Sequence, residues 1–101
     1  MFVVELFVPL DRGDGSEVRA EEIDTILRDL TNRFGGATAF TRAPATGLWK
    51  DGAETTSDRI IIIEIMADAI DESWWADYRT RLETQFKQDK ILVRGSRCSI
   101  L

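Results

Sequence analysis

Arg59-Ile60-Ile61-Ile62-Ile63-Glu64-Ile65-Met66 is apolar on both of its alternating faces, which is the pattern of a strand in the middle of a sheet. Both faces of such a strand need cover. The rest of the chain supplies apolar helical periodicity in only two places, enough for one face of a sheet. The other face is left for a partner chain or a ligand.

Upstream, Phe2 to Val8 reads as a strand with Phe2, Val4, Leu6 and Val8 on one side and Val3, Glu5 and Phe7 on the other, stopped by Pro9. From about Arg19 to Phe34, Ile23, Ile26, Leu27, Leu30 and Phe34 recur at helical spacing opposite Glu21, Glu22, Asp24, Arg28 and Asp29. Val18 and Ile23 form a hydrophobic staple if Arg19 is the cap, and Gly35-Gly36 ends the helix. Ala37 to Ala43 reads as a second strand. A long connection from Pro44 to Gly52 follows, in which Asp51-Gly52 is a turn signal that lets Leu48-Trp49 extend a β-hairpin arm. Downstream, Asp71 is a good N-cap for a helix that lines up Trp75, Tyr78, Leu82 and Phe86. Lys90 to Ile100 is the last strand, with Gly95 marking a bulge or a close backbone approach.

The order β-α-β-β-α-β with right-handed crossovers predicts a single α+β domain over residues 1–101. It is a ferredoxin-like plait whose four-stranded, antiparallel-mixed sheet has order 4-1-3-2 and carries both helices on one face.

Composition narrows the function classes. Of 101 residues, 44% are apolar and 31% charged, as in ordinary globular domains, and this length supports one core. Eighteen acidic against 13 basic side chains give a net charge of -5, which repels nucleic acid and anionic membranes. Histidine is absent, so no metal and no cofactor is expected. Cys98 has no second cysteine to pair with and reads as a small sheet residue. Met1 leads straight into Phe2-Val3-Val4-Glu5 without a basic or long apolar segment, so a cytoplasmic protein is expected. Asp11, Asp14 and Glu17 are too few for a calcium loop. Gly13-Asp14-Gly15 and Gly35-Gly36 match no phosphate-binding fingerprint and read as turns.

With the helices over Phe2, Val4, Leu6, Val8, Ile61, Ile63 and Ile65, the open face carries Val3, Glu5, Phe7, Ile60, Ile62, Glu64 and Met66. It is too apolar for bare water, and a second copy of the chain is the simplest symmetric cover. Burying several hundred Å² there at roughly 25 cal/mol per Å² drives a homodimer. Glu5 and Glu64 fall near one another on this face, where burial and mutual repulsion act against charge, the setting of a general acid or base. The preferred reading is a neutralised row Arg94, Glu5, Glu64, Arg42, in which Arg42 takes part only if Phe40, which shares its parity, lies on the open face and not in the core. Trp49, on the hairpin arm, either anchors a neighbouring subunit or caps a ligand pocket, or else folds back over the sheet edge. Trp74 and Trp75 read as core residues of the second helix.

The strings Phe34-Gly35-Gly36-Ala37-Thr38-Ala39-Phe40-Thr41-Arg42-Ala43-Pro44-Ala45, Glu64-Ile65-Met66 and Trp74-Trp75 through Tyr78-Arg79 to Leu82-Glu83 resemble a group of short uncharacterised bacterial proteins. The resemblance implies a stand-alone plait and carries over no catalytic residue.

The expected function is therefore a homodimeric plait without catalytic activity that binds a small molecule or a protein. The alternative is a cofactor-independent enzyme resembling the dimeric α+β barrel monooxygenases and isomerases, in which Glu64 is the base and Arg94 the electrostatic stabiliser.

Overall fold

Eight residues from Phe2 to Pro9 form β1, whose burial alternates as the sequence predicts, and the isoleucine run lies beside it in the centre of the sheet. The computed structural model describes the backbone of all residues except 53, and side chains except those of residues 42–45, 49, 51 and 53–58. After β1 come α1 (Ala20–Phe34), β2 (Thr38–Asp51), β3 (Glu54–Ala67), α2 (Glu72–Gln85) and β4 (Val93–Arg97). The sheet order is β2-β3-β1-β4, which is the plait order expected. Every neighbouring pair is antiparallel, so the sheet has no parallel component. The reason is topological: each helical crossover returns a strand parallel to the one it left, but another strand is inserted between them.

One cluster unites the helix side of the sheet. Val4, Leu6 and Val8 of β1 and Ile61, Ile63 and Ile65 of β3 pack with Ile23, Ile26 and Leu30 of α1 and Trp75, Tyr78 and Leu82 of α2. Both helices therefore cover a single face. The staple forms as predicted, with Val18 and Ile23 each 5% exposed, and Gly35 closes α1 in the left-handed region at φ 88°. Asp71 caps α2 by accepting a hydrogen bond from the Trp74 backbone N–H at 3.1 Å, and this donor holds its carboxyl below the usual range.

Two boundaries differ from the sequence reading. Residues 44–51 continue β2 instead of forming a connection, and residues 45–51 pair with residues 54–60 in a long hairpin whose turn opens at Gly52, φ 63°. Pro44 falls where the register shifts between Phe40 and Ala45, a bulge in which no ladder hydrogen bond is required of it, so the proline does not end the strand. At the other end, β4 spans five residues where eleven were predicted. Its Gly95 is a close approach: a Cβ there would meet Ile70 Cδ1 at 3.2 Å.

Candidate functional site on the open sheet face

Antiparallel register sets the side chains of the uncovered face into rows. Glu5 on β1 lies opposite Glu64 on β3 and, on its other side, opposite Arg94 on β4. Arg94 Nε donates to Glu5 Oε1 at 3.0 Å, so one of the two carboxylates is neutralised. Among the described residues Glu64 has no ion pair or hydrogen bond, and its partner on β2 is Thr38. This corrects the four-membered charged row. Arg42 lies past Phe40 in the bulge, outside the cross-strand position beside Glu64, and its side chain, like that of Trp49, lies outside the described residues.

The next row is apolar: Phe7 faces Ile62, and Ile62 faces Phe40. Phe40 therefore belongs to the open face and not to the core, and it is 52% exposed. Arg94 rests its guanidinium 5.0 Å from the centre of the Phe7 ring, a cation–π contact that fixes the arginine between Glu5 and Phe7. On the far side of the glutamates, Val3 faces Met66 and both are half-buried. Ile60, opposite Pro9, is 5% exposed yet stands outside the helix-side core. The predicted residues Glu5, Phe7, Ile60, Ile62, Glu64, Met66 and Arg94 thus share one face, and Phe40 joins them. The signal for Phe40 was its alternation with Thr38, which the register places beside Glu64.

A second concentration of polar chemistry lies on the helix side. Arg33, Asp29 and Asn32 of α1 and Trp74, Asp77, Tyr78 and Arg81 of α2 line a groove of about 720 Å³. Arg33 stacks 4.2 Å above the Trp74 ring, and Trp74 in turn stacks on Tyr78 with centroids 5.0 Å apart. The Tyr78 hydroxyl is buried with no hydrogen-bond partner among the described residues, and burial pushes its pKa up to about 12. Trp75 is a core residue, as predicted, whereas Trp74 packs at the core's margin.

The glycine turns have their amides committed. Gly13 N–H donates to Phe86 O at 3.1 Å, Gly15 N–H to Arg12 O at 2.9 Å and Gly35 N–H to Thr31 O at 2.8 Å, so they are not arranged as an anion cradle. Residues 11–16 are instead clasped to the end of α2. Lys87 Nζ pairs with Asp14 at 2.8 Å, and Arg12 Nη2 donates to both carboxylate oxygens of the buried Glu22, which also accepts from Arg19 Nε and Gln85 Nε2. Arg12 holds the Glu22 carboxyl below its usual range against the opposing effect of burial.

No protein-family model matches the chain, and no curated protein does. Solved structures do. A phage SAM lyase in complex with S-methyl-5'-thioadenosine superposes with a TM-score of 0.64 at 18% identity, covering 95% of this chain and 80% of the other. A phage SAM lyase in the apo state gives 0.63 at 17% identity, covering 94% of this chain and 78% of the other. At these identities the likeness establishes a shared fold. It also overturns the expectation of a plait without catalytic activity. That expectation rested on the lack of a familiar catalytic signature, and the solved structure that shares this fold is of a lyase.

Proposed function

We propose that this chain is a cofactor-independent lyase acting on a sulfonium nucleoside of the S-adenosylmethionine class, with its chemistry on the open sheet face. The observation that carries the reading is Glu64, a half-buried carboxylate beside Phe7, Ile62 and Met66 whose neighbour Glu5 is matched by Arg94 while it is not, among the described residues. The likeness in fold to the phage SAM lyase supports the substrate class.

The chemistry suits the surface. A sulfonium centre carries a positive charge that vanishes when the carbon–sulfur bond breaks and its electron pair passes to sulfur, leaving a neutral thioether. An apolar surface favours a step that removes charge, and a carboxylate at Glu64 holds the cation in place beforehand. The carbon that loses sulfur is satisfied in one of two balanced ways. Either Glu64 takes a proton from the adjacent carbon, the C–H pair becomes a double bond and Glu64 later returns the proton to water, or the substrate's own carboxylate oxygen bonds to that carbon. The products differ, an unsaturated amino acid or a lactone. Arg94, anchored between Glu5 and Phe7, is placed to receive the substrate's carboxylate.

The open face needs cover for such a reaction to exclude water, and a second copy of the chain supplies it in this reading, with substrate between the two sheets. A cytoplasmic setting is part of this reading, and no helix among the described residues is long and apolar enough to cross a membrane. The test is incubation of the purified chain with S-adenosylmethionine, followed by mass spectrometry of the products and by the mass of the assembly in solution. Release of S-methyl-5'-thioadenosine by an oligomer supports the reading. An inert monomer contradicts it.

A further inference from the structure

We propose that Phe40 is the platform on which the purine of the nucleoside stacks, with Glu64 set one ribose away to meet the charge at the 5' position. This deepens the proposed function and rests on it for the identity of the substrate. The open face offers two described aromatic rings in one row, Phe7 and Phe40, separated by Ile62. Phe7 is already engaged, because Arg94 lies 5.0 Å from its ring centre. Phe40 is 52% exposed and has no aromatic or cationic partner among the described residues, so its ring face is uncommitted. An exposed aromatic beside a half-buried isoleucine is an apolar shelf fit for a flat heterocycle.

Register sets the spacing. Phe40 pairs with Ile62, and Glu64 lies two residues further along β3, which makes Phe40 and Glu64 diagonal neighbours, about 7–8 Å apart. One ribose separates the base from the 5' substituent of a nucleoside and bridges a gap of that order. The pairing of β2 with β3 breaks immediately after Phe40, and such a bulge bends a strand and re-aims the side chain next to it. A neutral purine nucleoside is thus recognised by the ring, and the sulfonium by the carboxylate.

Calorimetric titration of the full chain with S-methyl-5'-thioadenosine, beside turnover of S-adenosylmethionine, tests the assignment. Phe40→Leu should weaken binding of the thioether nucleoside about tenfold and leave the melting temperature unchanged, and Phe40→Trp should restore it. Glu64→Gln should leave that binding within about twofold, since the thioether carries no charge. If Phe40→Leu binds as the unaltered protein does while that protein cleaves S-adenosylmethionine, the platform is wrong and the lyase reading stands. If there is no cleavage but adenosine binds in a Phe40-dependent manner, the platform stands and the lyase reading falls. Absence of any nucleoside binding at millimolar concentration overturns the platform.

Discussion

Glu5 and Glu64 sit directly across from each other on the two central strands, yet only Glu5 is matched by an arginine among the described residues, through a 3.0 Å hydrogen bond from Arg94. Two identical side chains in one row are thereby given different tasks. Glu5 is a fixed anchor for Arg94, and Glu64 is available to a cation. The asymmetry arises because β4 flanks β1 with Arg94 at that register, whereas β2 flanks β3 with Thr38.

Glu64→Gln keeps shape and removes charge. Turnover of the sulfonium substrate should fall by about a hundredfold or more if Glu64 is the proton acceptor, with the fold intact by circular dichroism. A fall of less than about threefold would remove Glu64 from the reaction.

Arg94→Met should cost less than about 1 kcal/mol of stability, because its pair with Glu5 is partly exposed and screened by water. If the arginine receives the substrate's carboxylate, KM should rise while the melting temperature barely moves. A drop of many degrees with unchanged KM would make Arg94 a structural residue only.

The helix side and the open side of the sheet were legible in the sequence to different depths. The strand order followed from the isoleucine run and the right-handed crossovers, and the core followed from parity along β1 and β3. What periodicity does not report is register between strands, and the charged row depended on it: Arg42 was drawn beside Glu64, and the bulge after Phe40 moves that position to Thr38. The buried pair of Arg12 and Glu22 was hidden for a related reason. Both residues read as surface charges until the loop at 11–16 folds back over α1 and α2.

That pair yields a third prediction. Arg12→Met leaves the buried Glu22 carboxylate with only the longer contacts of Arg19 Nε and Gln85 Nε2, each at 3.4 Å, and should cost about 1–3 kcal/mol in denaturant unfolding. Because the folded-state pKa of Glu22 is lowered from 4.5, its contribution is fully present above that value and disappears as pH falls below it. The unaltered protein should therefore lose stability on acidification below about pH 4.5, and the variant should lose less. Parallel acid melts of the two proteins would contradict this.

Gly13 is fixed by space, not by backbone conformation. A Cβ there would lie 1.8 Å from the Lys87 carbonyl oxygen, so Gly13→Ala must push the loop off the end of α2. A loss of about 1–3 kcal/mol is expected, with Gly15→Ala as a control that meets no atom within 4 Å but strains φ 87°. Equal stability of Gly13→Ala and the unaltered protein would refute the contact.

Tyr78 is the chain's one tyrosine, which makes its ionisation directly readable in the ultraviolet. Phenolate absorbance should rise with a midpoint near pH 12 where an open tyrosine titrates near 10, and stability should fall between those two values as the unfolded chain releases its proton first. A midpoint near 10 in the folded protein would place the hydroxyl in water.

The most direct test of the central claim is a map of backbone amide shifts as S-methyl-5'-thioadenosine is titrated into the labelled protein. The account predicts perturbations concentrated at Phe7, Phe40, Ile62 and Glu64 on the open sheet face. Perturbations concentrated instead at Arg33, Trp74 and Arg81 in the groove between the helices would contradict it.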